Sequence, residues 1–364
     1  MSVFKLLNHF HGNKFSFNSW LFSFSFIFLC LSSLFFSFLL ALEKVSLIKT
    51  LVFKTIIILI EYFLLLFLSW SVQCLLVILS VAFFTLFERK VIGFFMIRVG
   101  PNKPGFLALL QPLLDALKLF TKQNLIPYQA NKLLYSFSPH FALFLSLLVW
   151  FALPSFFLAF SLNFSLFFFF CVSSLLVFPV LFSGWSSNSK YSLIGSLRSV
   201  AQSISYESVF RTLIVILFIV ASTFRVYSFF SLSSPIFFFF IIPWIICTLA
   251  ETHRAPFDFR ESESELVRGF NTEYGGAYFS FIFLSEYGVL IFSCLLISIL
   301  FFSFFVPFSP LLISLVGLFI SFVFIWIRIT FCRFRYDLLI IVSWKILLPL
   351  SLNIFFILLI FFSL

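Results

Sequence analysis

Long apolar runs are the feature that most constrains this chain. Nine segments of the 364-residue sequence carry almost no charge, and a helix needs about 20 apolar residues to cross a bilayer core. Only 10% of the residues are charged, whereas a soluble domain carries about 25%. Lipid must therefore be the solvent for most of the chain. The nine segments are 20–42, 65–87, 137–157, 164–182, 208–226, 235–250, 277–304, 311–327 and 338–363.

The apolar character is unbroken and lacks a two-residue alternation, which favours helices over a β-barrel. We therefore predict an all-α polytopic transmembrane helix bundle that occupies residues 65–364. The run 56–60 can extend the second span backwards. Segment 235–250 is short and contains Pro243, which predicts a kink or a helix partly buried in protein.

The first 64 residues form a separate N-terminal extension with one extra transmembrane helix, at 20–42. If that helix spans the bilayer, Lys44, Lys49 and Lys54 lie on the side that is otherwise poor in lysine. A cleaved signal peptide is the alternative. The apolar run is long and lacks a small-residue cleavage motif, so the extra helix is favoured.

Positive charge is concentrated in alternate connections between the spans. The basic connections are 88–136, 183–207, 251–276 and 328–337, and the intervening ones hold almost no Lys or Arg. By the positive-inside rule all four face the same side of the membrane, which is the cytoplasm or an equivalent compartment such as the mitochondrial matrix.

The composition indicates an organellar gene, because 65 Phe against 2 Met is the drift expected from A/T-biased coding. The six cysteines include no CxxC pair, so neither a zinc or iron–sulfur site nor a disulfide framework is predicted. Phosphate-binding loops, dinucleotide fingerprints and haem-attachment motifs are also missing from the sequence. We expect no metal, and NADH is expected to bind elsewhere than on this chain.

Acidic residues crowd the stretch 251–273. Glu261 and Glu265 are four residues apart and would share one helix face, where like charges repel. Repulsion and burial make such groups take up protons more readily, as proton coupling requires. The alternative is a solvated acidic loop with arginine counter-ions at 254, 260 and 268. Residue types alone favour neither interpretation over the other.

Three other carboxylates stand at the ends or in the interior of apolar segments: Glu207, Glu251 and Glu286. An ionisable side chain at membrane depth is costly and usually belongs to an ion path or a buried pair. These residues predict a proton relay. The alternatives are interfacial carboxylates that reach water, and an ion pair that holds Glu251 against Arg254.

The stretch 88–123 combines a turn with an amphipathic segment. Gly and Pro residues at 100–105 break the chain, and 109–120 then predicts an amphipathic helix on the membrane surface, with Asp115 and Lys118 three residues apart. Glu88 and its two basic neighbours are interpreted as an anchor at the end of a membrane helix.

Eight stretches in this order resemble the family of membrane subunit 1 of NADH:ubiquinone oxidoreductase (complex I). They span residues 88–345, and the combination is highly specific. They read ERKVIGFF, RVGPN, LLQPLLDALKLFTK, SGWSSNSKYSLIGSLRSVAQSISYE, LAETHRAPFD, ESESELVRGFNTEY, LSEY and RFRYDLLIIVSWK.

The resemblance implies eight transmembrane helices that line a quinone tunnel and connect it to the proton-pumping membrane arm. It implies that a path of proton-carrying groups leads away from the tunnel and comprises Tyr206, Glu207, Glu251, Glu273 and Glu286. A loop with Arg333, Arg335 and Asp337 would dock the hydrophilic arm. The residues implied along the tunnel are Arg89, Arg98, Asp115, Arg254, Asp258, Glu261, Glu263, Glu265 and Arg328.

The resemblance also implies surroundings. Ubiquinone would be the substrate, with NADH, FMN and iron–sulfur clusters on partner subunits. Hydrophilic subunits would bind the basic-loop face, membrane-arm subunits and lipids would lie laterally, and no nucleic acid is expected. The expected location is the mitochondrial inner membrane with the basic loops in the matrix, the bacterial plasma membrane being the alternative.

Four positions depart from the family pattern: Ala108, Gln123, His253 and Cys332. Gln123 stands where an acid is usual, which puts an acidic role there in doubt, but every central carboxylate is kept. Two other functions remain open at this point. The homologous subunit of a hydrogenase-type or ferredoxin-linked pump shares the core motifs, and a stand-alone transporter is disfavoured because no internal repeat is visible.

Overall fold

The structure is a computed structural model that describes residues 48–153, 164–221, 226, 238–258, 269–302 and 310–363. The chain divides into two compact units, Met1–Leu65 and Leu66–Leu364. The predicted extra helix at 20–42 and the acids Glu261, Glu263 and Glu265 lie outside the described residues.

All regular structure in the described residues is helical, because a backbone in lipid must satisfy its hydrogen bonds within its own segment. A π-helical turn at Val342–Leu347 joins the last two helices. The helices are α1 Ile48–Phe95, α2 Gln111–Thr121, α3 Lys132–Val149, α4 Ser165–Leu175, α5 Val177–Ser186, α6 Lys190–Ala221, α7 Phe238–Glu251, α8 Gly276–Phe302, α9 Pro310–Thr330, α10 Tyr336–Ile341 and α11 Leu348–Ser363.

The prediction of a polytopic helical membrane bundle is confirmed. Within the described residues, seven helical stretches are long and apolar enough to cross a bilayer, and α7 is a shorter apolar helix that contains Pro243. The seven stretches are Phe67–Phe95, Lys132–Ala152, Ser165–Ser186, Lys190–Val220, Gly276–Phe302, Leu311–Thr330 and Tyr336–Ile360. The amphipathic segment of the first large connection is helical as predicted, as α2.

Helix α8 is the central helix of the bundle. Of its most apolar stretch 72% is buried, compared with 17% for the stretch in α1. It packs against α3 on one side and α9 on the other. Helix α6 packs against α5, α7 and α11, and large rings such as Trp244 and Phe292 fill the space between the helices.

The prediction of a connection at 183–207 is wrong, because most of this stretch is helical. Helix α6 begins at Lys190 and continues through Glu207 to Ala221. Polarity here indicated a loop, but the polar residues are mostly serines. Their hydroxyls donate to carbonyls three residues earlier, as Ser199 does to Ser196 and Ser205 to Gln202, so the helix stays intact.

Small residues in this region allow neighbouring backbones to approach closely. A Cβ added at Gly184 in α5 would lie 2.0 Å from the Ser196 hydroxyl oxygen in α6. At Gly195 in α6, an added Cβ would lie 2.9 Å from the Cα of Gly269. Both glycines hold α6 in the position from which Tyr206 and Glu207 project.

Replacing Gly195 by valine is expected to destabilise the chain by about 1–3 kcal/mol, because the new side chain meets backbone that has no room to move. The measurement is the thermal midpoint of the assembled complex. Gly275→Ala is the matched control, since nothing lies within 4 Å of a Cβ there. Equal midpoints for the two variants would contradict the close approach of α6 to Gly269.

Candidate functional site

A cleft among the membrane helices contains all three of the carboxylates singled out at apolar segments. Its empty volume, including the part open to the exterior, is about 860 Å³. Glu207 projects from within α6, Glu251 is the last residue of α7, and Glu286 lies in the first half of α8. Carboxylates in one cleft interact electrostatically with one another. We call this space the carboxylate cleft; Tyr206, Cys247, Thr252, His253 and Ser285 also line it.

Glu207 differs from the isolated acid that the sequence indicated. Its Oε1 accepts a hydrogen bond of 2.7 Å from Nη2 of Arg211, one turn later in α6. The Glu207 side chain is 15% exposed and that of Arg211 is 56% exposed. The guanidinium of Arg211 also lies 4.9 Å from the ring centroid of Phe170. A cation therefore pairs with one of the acids that line the cleft, a feature that the sequence reading did not assign.

A second cluster surrounds Glu88, whose side chain is 5% exposed. Its Oε1 accepts from Nη1 of Arg254, at 2.7 Å, and also from Nη1 of Arg328. Its Oε2 accepts a 2.8 Å hydrogen bond from the hydroxyl of Tyr287. The guanidinium of Arg254 lies over the Tyr287 ring, 4.2 Å from its centroid. We call these four residues the Glu88 cluster.

The Glu88 cluster changes the interpretation of two residues. Arg254 pairs with Glu88, so the alternative that it holds Glu251 is not what the structure has. Burial is the largest single influence and lowers the pKa of Arg254, but Glu88, Tyr287 and Glu286 together outweigh it. The pKa of Arg254 is therefore raised, and this side chain stays charged.

The carboxylate cleft and the Glu88 cluster are joined by adjacent residues on two elements. In the segment 252–258 that follows α7, His253 lines the cleft and Arg254 binds Glu88. In α8, Glu286 lines the cleft and Tyr287 donates to Glu88. Arg254 and Tyr287 are thus each one residue away from a residue that lines the cleft.

Tyr206 and Gln202 attach α6 to this junction. The Tyr206 hydroxyl donates to the carbonyl of Leu339 at 3.1 Å, and its side chain is fully buried. The Gln202 amide donates to the carbonyls of Ala250 and Phe257, at 3.0 and 2.8 Å. Helix α6 is therefore tied both to the end of α7 and to the segment 252–258.

The remaining residues implied along the tunnel form smaller pairs. Arg89 Nη1 donates to Asp115 Oδ2 at 2.7 Å, which joins the end of α1 to the surface helix α2. Arg333 Nη2 lies 3.5 Å from Asp258 Oδ2. Arg98 is exposed in the turn after α1. The docking-side residues Arg335 and Asp337 form an exposed pair, with Nε and Oδ2 3.2 Å apart.

Glu273 lies apart from the other acids of the implied path. Its side chain is exposed and is not among those that line the carboxylate cleft. Its backbone carbonyl accepts a 2.6 Å hydrogen bond from the hydroxyl of Tyr135. The Tyr135 ring stacks on Tyr274 with centroids 4.2 Å apart, which holds the start of α8 against α3.

Sequence reasoning missed Glu88, Tyr287 and Arg211 as residues of the site. Glu88 was interpreted as an anchor beside Arg89, but α1 continues past it to Phe95. The apolar run 91–95 after the charged triplet is the signal that Glu88 lies inside a helix. For Arg211, the signal is its spacing of four from Glu207, which is typical of a helical ion pair.

Metal binding was not expected, and the described residues contain no group of three or more His, Cys, Asp or Glu side chains that could hold a metal ion.

The comparisons with known proteins agree on one family. The family model described as NADH dehydrogenase matches residues 68–359. NADH-ubiquinone oxidoreductase chain 1 of Anopheles gambiae is 47% identical over 292 residues, which cover 77% of this chain and 90% of the relative. The same-named protein of Heterololigo bleekeri is 45% identical, covering 79% and 94%. That of Myrmecophaga tridactyla is 42% identical, covering 78% and 92%.

Proposed function

Because this chain belongs to the NADH dehydrogenase family, as subunit 1 of complex I, we propose that it forms the ubiquinone tunnel of that enzyme and couples quinone reduction to proton translocation. The chain is a core multi-pass membrane subunit of an enzyme complex. The finer assignment concerns which residues guide the quinone and which carry protons.

The junction between the Glu88 cluster and the carboxylate cleft is the observation that carries this proposal. Arg254 and Arg328 are tunnel residues, and both bind Glu88. His253, next to Arg254, and Glu286, next to Tyr287, line the cleft together with Glu207 and Glu251. A change of charge at Arg254 therefore acts on the cleft, because Arg254 interacts electrostatically with Glu286.

Reduction of a quinone takes up electrons and protons. The electrons come from iron–sulfur clusters of partner subunits, and the tunnel of this chain guides the quinone toward them. Arg89, Arg98, Asp115, Arg254, Asp258, Glu261, Glu263, Glu265 and Arg328 line that tunnel in this proposal. Arginine and carboxylate side chains suit the polar quinone head group because they donate and accept hydrogen bonds at fixed positions.

The carboxylate cleft carries the charge away from the tunnel. Protonation of one acid lowers the cost of charging the next, which lets a proton or its charge pass along the group. Tyr206 closes the cleft beside α6, and Arg211 balances the charge of Glu207. In this proposal Glu273 continues the path at an exposed face of the chain, where a neighbouring subunit accepts the proton or its charge.

The proposal includes the surroundings of the chain. The complex lies in the mitochondrial inner membrane with the four basic connections on the matrix side. Hydrophilic subunits with NADH, FMN and iron–sulfur clusters bind that side. Membrane-arm subunits and lipids occupy the lateral faces.

A photoreactive ubiquinone analogue with an isoprenoid tail tests the tunnel in the intact complex. We expect light-dependent adducts on peptides that carry Arg89 to Asp115 or Arg254 to Asp258, and excess ubiquinone should suppress them. Peptide mapping by mass spectrometry is the measurement. Adducts confined to the exposed apolar face of α11, or adducts that excess ubiquinone leaves unchanged, would refute the tunnel.

A further inference from the structure

The last membrane helix carries two polar side chains at membrane depth. From Tyr336, Lys345 is nine residues along and Asn353 is 17 residues along. At 1.5 Å per residue these positions lie about 13 and 25 Å from the helix start, within a hydrocarbon core of about 30 Å. The helical stretch Tyr336–Ile360 is long and apolar enough to span the bilayer. Both residues therefore lie where polar groups are costly.

Both side chains are exposed on the surface of the chain. Within the residues that the structure describes, neither side chain makes a hydrogen bond or an ion pair. They lie eight residues apart, so they fall on one stripe of the helix surface. The π-helical turn Val342–Leu347 contains Lys345, and such turns are frequent at functional sites.

The lysine and the asparagine lie on one side of the helix at the depth of the lipid tails, which indicates a contact with another protein segment. An exposed lysine can extend its stem toward phospholipid head groups. The Lys345 backbone lies about 13 Å from the nearer edge of the hydrocarbon core, which is farther than its stem extends, so a lipid phosphate is a poor partner for its charge. A helix with matching polar groups can pair with Lys345 at the same depth and also hydrogen-bond Asn353, which lies about 5 Å from the far edge of the core. Hydrogen bonds and charge pairs between membrane helices are the common use of such residues.

We propose that the stripe with Lys345 and Asn353 docks a transmembrane helix of a neighbouring subunit, and that this helix bears an Asp or Glu opposite Lys345. Positive charge at membrane depth demands a negative partner. The chain is a core subunit of a multisubunit membrane complex, so such a helix is available. The inference rests on that membership alone and is independent of the tunnel and the carboxylate cleft.

Site-specific photo-cross-linking in the assembled complex tests the contact. Asn353→p-benzoylphenylalanine should give, under light, an adduct to a membrane segment of one other subunit. Mapping by mass spectrometry should find Asp or Glu within that segment. Leu318 is the matched control, since it is exposed in the middle of a different membrane helix, α9; the same probe there should not label that segment. An adduct from position 353 to lipid only, to a second copy of this chain, or to a segment without an acid would overturn the proposal.

Charge variants give a second readout in the same complex. Lys345→Met should lower the amount of complex that contains the partner subunit by about tenfold, because the partner carboxylate loses its cation. Lys345→Arg keeps the charge and should retain most of the complex. Native electrophoresis with quantification of each subunit measures both. Normal assembly of Lys345→Met would overturn the proposal. Equal loss of the complex in both variants would also overturn it, because binding of the partner would then not depend on the charge of residue 345.

Discussion

Replacement of Glu88 by glutamine is expected to leave little assembled complex. The variant keeps the size of the side chain but strands the arginines of the Glu88 cluster, and Arg254 is only 14% exposed. Removal of one partner from a buried ion pair costs about 3–5 kcal/mol. We expect a sharp fall in the amount of complex on native gels and a lower thermal midpoint for what remains.

The control for Glu88→Gln is Asp115→Asn, the same chemical change in an exposed pair. Arg89 and Asp115 are 51% and 36% exposed, and pairs of this kind contribute about 0–1 kcal/mol. Assembly of this variant should be close to normal. A double variant, Glu88→Leu with Arg254→Met, should recover part of the loss, because apolar replacement of a whole buried pair is often neutral. If Glu88→Gln assembles normally, the Glu88 cluster does not stabilise the fold.

Loss of coupled turnover in an intact complex is the result expected for Glu286→Gln. The amide keeps the volume and most hydrogen bonds but cannot bind and release a proton. If Glu286 passes a proton or its charge, quinone reduction should fall by about 10²-fold, the lower end of what a positioned proton-transfer group contributes. Quinone reductase activity and proton pumping of the purified complex are the measurements.

Glu286→Asp separates titration from structure, because it shortens the side chain but keeps an acid. This variant should recover a substantial part of both activities. Glu273→Gln provides a comparison on the exposed face, where the proposed path leaves the chain. Normal rates and normal pumping in Glu286→Gln would refute a role for this residue in the path. Failure to assemble would instead identify Glu286 as structural.

Glu207→Gln is a less direct test, because Glu207 is paired with Arg211. Loss of the carboxylate leaves this arginine without its counter-ion, so a defect has two explanations. Arg211 is half-exposed and helical pairs of this spacing contribute only a few tenths of a kcal/mol. The effect on assembly should therefore be small, and a large loss of activity would point to the charge itself.

The two proposals assign functions to polar groups in two different environments, one enclosed by the chain and one exposed on its surface. The Glu88 cluster and the carboxylate cleft use polar groups that the chain satisfies or encloses itself. The stripe of Lys345 and Asn353 uses polar groups that the described part of the chain leaves exposed. The first set acts within one subunit, whereas the second set is proposed to bind a neighbouring subunit.

Prediction from the sequence succeeded where the lipid environment restricts the backbone conformation. Because every backbone group in the bilayer must bond within its segment, apolar length alone predicts a helix. Most of the described spans closely overlap the predicted ones, although the helix predicted at 208–226 begins at Lys190. The same physics made Glu207, Glu251 and Glu286 conspicuous, because charge inside an apolar run is costly. The motif order from 88 to 345 identified the family. The extra helix at 20–42 remains a prediction.

Sequence reasoning failed where polar residues lie beside a membrane helix. The stretch 183–207 reads as a connection, yet serine hydroxyls bond back to the helix and small residues admit close neighbours. Polarity alone cannot separate a solvated loop from a helix that packs through small side chains. The start of α6 at Lys190, and with it the position of Glu207 inside a long helix, was therefore decided only by the structure.

The sequence by itself determined which residues carry charge into the membrane and to which family the chain belongs. Only the tertiary structure decided which charges meet. Arg254 is three residues from Glu251 but binds Glu88, which is 166 residues away in sequence. The physical reason is that helical propensity and apolar length act locally, whereas ion pairs form between side chains that the packing of α1, α8 and α9 brings within about 3 Å.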